Sequence, residues 1–164
     1  MQETDHTKFT EATTTTKATT TTETTTTTEV TTTTKTTQTI EVAGAILVID
    51  DEPSIREVMK DIFAAVTRAD VYTAANGHEG LQILQKYQDI ALIFLDMNMP
   101  SMNGEETYKK LRQIAPDVRV IIASSLNATE VASRLGKHKA PSHILQKPFN
   151  MSTLLNVVQS ESVA

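Results

Sequence analysis

The sequence predicts an α/β protein built on a doubly wound, parallel, five-stranded sheet. Short apolar runs of strand length alternate with longer segments whose apolar residues recur at helical spacing. The first run, Ala45–Ile49, is apolar throughout, as expected of a strand that is covered on both faces. Five strands that alternate with five helices indicate a parallel sheet with helices on both faces, joined by right-handed crossovers.

The predicted strands are short apolar runs bounded by acidic residues or turn formers. Asp50-Asp51 follows the first run, Asn76-Gly77 marks a turn after the second, and Pro100 follows the third. The strands are predicted at Ala45–Ile49, Val71–Ala74, Ile90–Leu95, Val118–Ala123 and His143–Gln146.

Each strand is followed by a segment with apolar residues every three or four positions, the pattern of an amphipathic helix. Pro53 suits the first turn of the first helix, and Pro116 stops the third. The apolar faces of the five helices lie within Ile55–Val66, Leu81–Tyr87, Tyr108–Ile114, Thr129–Lys137 and Leu154–Val158.

Residues 1–39 differ in composition from the rest of the chain. More than half of them are Thr, single charged residues separate the Thr runs, and almost nothing is apolar. Such a segment has no core to offset the entropy of ordering its backbone. We therefore predict a Thr-rich, low-complexity, disordered tail over residues 1–39 and one globular domain over residues 40–164.

The composition excludes several classes of function. A net charge of −5 without a basic stripe argues against direct binding of nucleic acid. The chain has no cysteine, which rules out disulfides and thiol chemistry. No apolar run is long enough to cross a bilayer, and the N-terminus lacks the apolar region of a secretory signal. These features predict a cytoplasmic protein without membrane insertion.

The stretch Ala91–Gly104 organises the predicted site, because it places Asp96 at the end of the third strand. The carboxyl ends of parallel strands share one edge of the sheet, and open α/β sheets bind their ligands there. Three carboxylates, a hydroxyl and an ammonium are therefore predicted to converge. The other strand ends carry Asp50-Asp51, Ser124 and Lys147.

Crowded carboxylates repel each other unless a cation or a proton compensates. A hard cation such as Mg²⁺ suits this set, because it takes one or two carboxylates, a backbone carbonyl and waters. No His or Cys is well placed there, which argues against zinc. Taken singly, the acids before Pro53 could cap a helix and Asp96 could cap a turn; their joint occurrence at separate strand ends favours a site.

Asp50-Asp51, the LDMNMPSMNG loop, Ser124 and the Lys147-Pro148-Phe149 run resemble the receiver domain of two-component response regulators, over about Ala45–Val158. The resemblance implies a flavodoxin-like receiver fold of strand order 2-1-3-4-5. It also implies a phosphorelay signalling switch that takes a phosphoryl group from a histidine kinase or a His-phosphotransfer protein. Such a protein catalyses only its own phosphorylation and dephosphorylation.

The resemblance also implies a role for each site residue. Asp96 is the expected phosphoacceptor. Mg²⁺ is expected on Asp51, Asp96 and the backbone carbonyl of Asn98, with Asp50 acting mainly through water. The hydroxyl of Ser124 and the ammonium of Lys147 are expected to bind the phosphoryl group, and the Lys147-Pro148 bond is expected to be cis.

The resemblance leaves some features unmatched and some alternatives open. Ile144 stands where the family usually has a Tyr or Phe that swings inward on activation, and the segment 139–142 lacks the usual Gly-Ala. A phosphorylation-independent interaction module is one alternative, and an aspartyl-phosphate phosphatase is another, although Asn98 stands where that class needs a second Asp. The downstream protein is unknown, and a weak dimer around the fourth helix and fifth strand is allowed.

Overall fold

The computed structural model describes residues 14–18, 30–34, 39–100 and 102–162 of the chain. The chain divides into two compact units, residues 1–38 and 39–164. In the first unit, Thr14–Ala18 and Val30–Thr34 pair as antiparallel strands. The predicted disorder of residues 1–39 falls mostly on residues outside the described ones and stays a prediction.

The second unit contains five strands that alternate with five helices. Ile40 is buried next to the first helix, and its backbone N–H donates to the carbonyl of Val66. The elements are β1 (Ala45–Ile49), α1 (Pro53–Val66), β2 (Val71–Ala74), α2 (Gly77–Lys86), β3 (Ile90–Asp96), α3 (Gly104–Ile114), β4 (Arg119–Ser124), α4 (Ala128–Leu135), β5 (His143–Gln146) and α5 (Met151–Ser162).

All neighbouring strands of this sheet are parallel, in the order β2-β1-β3-β4-β5. The predicted order 2-1-3-4-5 and the predicted fold class are therefore confirmed. Ile49 lies beside Leu95, and Asp96 lies beside Ala123, so the carboxyl ends of the three central strands meet at one edge. The chain emerges from that edge into the loops that carry the candidate site.

Two apolar layers cover the sheet, as the doubly wound arrangement requires. On one face, Leu47 and Ile49 of β1 pack in a core that includes Tyr108 of α3. On the other face, Ile46 and Val48 pack in a core that includes Phe63 of α1. Successive residues of a strand point to opposite faces, which is why every residue of β1 is buried.

Four of the described helices begin with a cap in which an Asn side chain accepts the backbone N–H three residues on; at α5 this is Asn150, which accepts from Thr153. In the other three, Asn76, Asn103 and Asn127, a Glu stands at the third position. The predicted turn at Asn76-Gly77 is thus the start of α2. The predicted end of α4 at Lys137 is corrected to Leu135, because Gly136 leaves the helix with φ of 64°.

Within the part of the chain that the structure describes, no helix combines the length and apolar character that a bilayer crossing requires.

Candidate functional site

Asp96 lies at the end of β3, between the ends of β1 and β4, and is 3% exposed. Its Oδ1 accepts the backbone N–H of Asn98 at 3.1 Å. The loop closes where the N–H of Gly104 donates to the carbonyl of Met97 at 3.2 Å. A Cβ on Gly104 would lie 2.5 Å from the Asp96 carbonyl, so only glycine lets α3 start this close to the site.

Asp50 and Asp51 complete an acidic cluster with Asp96. Oxygen atoms of the three carboxylates lie within 4.8 Å of one another. Asp50 is 1% exposed, and its Oδ1 accepts the N–H of Glu52 at 2.9 Å. Its Oδ2 is buried without a hydrogen-bond partner among the described residues. An unsatisfied buried carboxylate oxygen is costly, so this atom marks a place for a cation or a proton.

The pKa of Asp50 is raised above its ordinary value, mainly because burial penalises the charged carboxylate. The neighbouring carboxylates Asp96 and Asp51 raise it further. The backbone N–H of Glu52 and the ammonium of Lys147 act in the opposite direction. The fold therefore holds this carboxylate in an environment that disfavours its charge.

Lys147 brings a positive charge into the cluster from the residue after β5. Its Nζ lies 3.1 Å from Asp96 Oδ1 and 3.9 Å from Asp50 Oδ2. The second distance allows electrostatic attraction but is too long for a hydrogen bond, so none of the described residues donates a hydrogen bond to Asp50 Oδ2. The Lys147-Pro148 bond is cis, as the resemblance to receiver domains implies.

Ser124 ends β4, one residue beyond the Ala123 that pairs with Asp96. It is fully buried, and its Oγ accepts the backbone N–H of Leu126 at 3.1 Å. Its carbonyl accepts the backbone N–H of Lys147 at 2.7 Å. The hydroxyl is thus engaged within its own loop, on the strand next to Asp96.

The structure shows two contacts at the site that sequence reasoning missed. Arg56 of α1 donates from Nη1 to the carbonyl of Asp50 at 2.8 Å. The side chain of Asn98 donates from Nδ2 to Ser125 Oγ at 3.1 Å and links two loops of the site edge. Arg56 lies in the first turn of α1, just after the acidic residues, and this closeness in sequence is a signal for its contact with Asp50. The Asn98–Ser125 contact joins residues 27 apart and has no local signal.

The cluster suits chemistry on an anionic group that binds through a hard cation. Three carboxylates and one ammonium leave the charges of the cluster unbalanced, and oxygen donors of this kind are those that Mg²⁺ prefers. Among the described residues, the cluster that could hold a metal ion contains no His or Cys. Asp96 Oδ1 contacts both Lys147 Nζ and the backbone N–H of Asn98, which leaves Asp96 Oδ2 available as a nucleophile.

Comparison with known proteins identifies relatives over the whole sheet. The family model of the response regulator receiver domain matches residues 46–159. The probable C4-dicarboxylate response regulator DctR of Bacillus subtilis is 32% identical over 115 residues, covering 70% of this chain and 50% of DctR. The chemotaxis protein CheY of Thermotoga maritima is 27% identical over 119 residues, covering 71% of this chain and 96% of CheY.

Among solved structures, the response regulator TrrA of Thermotoga maritima in complex with Mg²⁺-BeF has a TM-score of 0.62. It shares 28% sequence identity, and the match covers 72% of this chain and 98% of TrrA. The chain thus spans half of the length of DctR but nearly all of CheY and TrrA.

Proposed function

The chain belongs to the response regulator receiver domain family, and from this premise we propose that it is a phospho-accepting signalling switch with Asp96 as its phosphoacceptor. One observation carries the proposal. Lys147 Nζ lies 3.1 Å from Asp96 Oδ1, beside a buried Asp50 oxygen that has no hydrogen-bond partner in the described residues. This pairs a nucleophilic carboxylate with a cation and with an acidic cluster suited to a metal ion.

Mg²⁺ is the proposed cofactor, and the residues present fit it. Asp51 and Asp96 would hold the ion directly with the Asn98 carbonyl, and Asp50 would act mainly through water. The unpartnered Asp50 oxygen and the mutual closeness of the three carboxylates support this assignment. When bound, Mg²⁺ supplies positive charge for the oxygens of the phosphoryl group. The relative TrrA was crystallised with Mg²⁺-BeF.

The proposed step is transfer of a phosphoryl group from a phosphohistidine to Asp96. Asp96 Oδ2 attacks phosphorus in line, and a P–O bond forms as the P–N bond breaks. The departing imidazole nitrogen keeps the electron pair and takes up a proton, and Asp96 becomes an acyl phosphate. Lys147 pairs with a phosphoryl oxygen, so the chain contributes mainly positioning and electrostatics.

The proposed signal follows from the new charge on Asp96. Phosphorylation adds negative charge and acceptor oxygens, to which the hydroxyl hydrogen of Ser124 can be donated when Ser124 moves toward them; in this structure Ser124 Oγ accepts the Leu126 N–H. The loop from β4 to α4 would move with Ser124 and change the surface around α4 and β5. A histidine kinase or His-phosphotransfer protein is the proposed donor, and a partner with different affinities for the two states reads the change.

Intact mass after incubation with acetyl phosphate tests this proposal. We expect the parent chain to gain one phosphoryl group only with Mg²⁺, and Asp96→Ala to gain none. Asp61→Ala, which removes an exposed carboxylate of α1, is the matched control and should behave like the parent. If no adduct forms and beryllofluoride does not bind, the phosphoacceptor role is wrong and a phosphorylation-independent interaction module takes its place.

A further inference from the structure

A six-residue repeat runs through the Thr-rich part of the chain. Every sixth residue is charged, and the residues between are Thr with an occasional Ala or Val. The charged positions are Glu11, Lys17, Glu23, Glu29 and Lys35. Six is a multiple of the two-residue period of a strand but not of the 3.6-residue turn of a helix, so the repeat favours strands. It lies outside residues 46–159, which match the family model, so the receiver function leaves it unexplained.

Two segments of this repeat form strands in the structure. Thr14–Ala18 and Val30–Thr34 pair in antiparallel fashion, with Thr16 opposite Thr32, and are here called the Thr-strand pair. The described part of the chain adds no third strand to them, so each strand has one edge without a backbone partner in this sheet. Two strands alone are marginally stable in water, and further strands would stabilise them.

The residues on either side of Val30–Thr34 carry opposite charges, Glu29 before the strand and Lys35 after it. An antiparallel pair of two such strands, centred on Thr32, sets Glu29 of one copy opposite Lys35 of the other. The two-fold symmetry of the pair produces this contact twice. Opposite charges directly across an antiparallel pair are stabilising, whereas parallel strands in register would place each charge next to its own kind. The charge pattern therefore fits a second copy of the same strand.

The first strand of the Thr-strand pair lacks this symmetry. Thr13 and Thr19 flank Thr14–Ala18, and its charged residue, Lys17, lies inside the strand opposite Thr31. Pairing of two copies through the second strand alone gives a sheet of four strands, with the two second strands in the centre. Such a two-fold pairing is closed, so it limits the assembly to a dimer, and its four strands exceed the two that are marginal alone.

We propose that Val30–Thr34 pairs antiparallel with the same strand of a second copy, so that the Thr-strand pair is a dimerisation element. The dimer holds two copies of the receiver domain in one assembly, whatever the state of Asp96. The inference does not depend on the proposed function, because the pairing involves only backbone groups and charges of the Thr-rich segment. Asp96→Ala should therefore dimerise like the parent chain.

Charge exchange in the full chain tests the register, with sedimentation velocity from micromolar to millimolar protein as the measurement. Lys35→Glu and Glu29→Lys each turn both opposite-charge pairs into like-charge pairs, and each should weaken the dimer by about tenfold or more. The double variant restores opposite charges and should dimerise within about threefold of the parent. A mixture of the two single variants should form mixed dimers, because each supplies the charges that the other needs.

Lys17→Glu is the matched control for Lys35→Glu. It makes the same change in net charge within the same repeat, but on the first strand, opposite Thr31 of its own copy. We expect it to change the dimer affinity by less than about twofold. The amide spectrum of residues 46–159 should be the same in all variants, which separates loss of the dimer from unfolding of the receiver domain.

Cross-linking locates the contact between the two copies. The chain has no cysteine, so Thr32→Cys supplies its only thiol. Thr32 of one copy lies opposite Thr32 of the other in the proposed pair, within the distance that a disulfide spans. Thr16→Cys is the matched control, because two residues at this position would be three strand spacings apart, about 14 Å. Under mild oxidation, Thr32→Cys should form the linked dimer about tenfold faster or more.

Four outcomes would overturn the inference. A parent chain that stays monomeric at millimolar concentration would show that the strand edge does not self-associate. An equal effect of Lys17→Glu and Lys35→Glu would show only a general effect of net charge. A double variant as weak as the single variants would exclude the pairing of Glu29 with Lys35. Equal cross-linking of Thr16→Cys and Thr32→Cys would place the contact elsewhere.

Discussion

Lys147 Nζ lies 3.1 Å from Asp96 Oδ1, so the cation that follows β5 lies on one side of the candidate phosphoacceptor. The same ammonium is 3.9 Å from Asp50 Oδ2, which has no hydrogen-bond donor among the described residues. Lys147 thus partly compensates the acidic cluster, and it stands where it can pair with a phosphoryl oxygen. Removal of the Lys147 ammonium should therefore change Mg²⁺ binding and phosphorylation in opposite directions.

Lys147→Met separates these roles. Removing the Lys147 ammonium from the cluster should tighten Mg²⁺ binding by about three- to tenfold, because that positive charge no longer repels the ion. The same change should slow phosphorylation by acetyl phosphate by about 10²-fold, because a group that pairs with the phosphoryl oxygens is lost. Titration of Mg²⁺ and the rate of adduct formation measure the two effects. Lys60→Met, an exposed residue of α1, should change neither.

Asp50→Asn should stabilise the chain at neutral pH in the absence of Mg²⁺. Burial raises the pKa of Asp50 above its unfolded value, so the unfolded chain releases this proton at lower pH than the folded one. Stability is therefore lost as pH rises from about 3.8 through the raised pKa. Asn keeps Oδ1 for the Glu52 N–H and has no charge to bury.

The measurement is the Tm of parent and Asp50→Asn between pH 3 and 8, with and without Mg²⁺. We expect the Tm of Asp50→Asn to be higher than that of the parent by a few degrees at neutral pH. This difference in Tm should decrease toward low pH. Mg²⁺ should also narrow the gap, because it stabilises the parent more than the variant. A gap that persists at low pH would show that the charge of Asp50 is not its cause.

Much of the fold and site follows from local patterns. A strand such as β1 can be predicted from the sequence because its apolar run is continuous. The position of Asp96 can be predicted because the carboxyl ends of parallel strands share one edge of the sheet. The Asn76-Gly77 pair predicts a turn, and the structure shows the start of α2 there; Asn76 followed by Glu79 is also a recognisable helix cap. The predicted disorder of residues 1–39 and the predicted roles of the site residues stay predictions.

Contacts between distant residues could not be predicted in the same way. The hydroxyl of Tyr108 donates to the carbonyl of Lys139, 31 residues away. Arg112 Nε donates to that hydroxyl at 3.0 Å, and Nη1 donates to the carbonyl of Val118 at 2.6 Å. Periodicity places Tyr108 on the buried face of α3 but says nothing about which loop it contacts.

Tyr108→Phe tests this link between α3 and the loop after α4. Loss of the hydroxyl leaves buried Arg112 Nε without its acceptor, and should cost about 1–2 kcal/mol of unfolding free energy. Amide exchange should rise in residues 137–142, because the Lys139 carbonyl loses its donor. Tyr72→Phe is the matched control, since the Tyr72 ring stacks on Tyr87 without needing its hydroxyl. Equal destabilisation by both changes would contradict the assigned role.

Gly77→Ala tests the close packing of α2 against α3. A Cβ on Gly77 would overlap Thr107 Oγ1 and lie 2.9 Å from Met102 Sδ. We expect a loss of about 1–3 kcal/mol in unfolding free energy, although Ala favours helix more than Gly does. If the clash is the cause, Thr107→Ala should make room for the new methyl group, at the cost of the Thr107 hydrogen bond to Asn103.

A double-mutant cycle in urea decides whether the clash causes the loss. Gly77→Ala with Thr107→Ala should lose less than the sum of the single variants, with a coupling of about 1 kcal/mol. Gly136→Ala supplies the comparison, because its Cβ meets open space and its cost arises from a φ of 64°. It should add to Thr107→Ala without coupling. If the free-energy losses of the single variants add in both cycles, Thr107 is not the cause of the loss at Gly77. The contact between these two residues would then not set the spacing of α2 and α3.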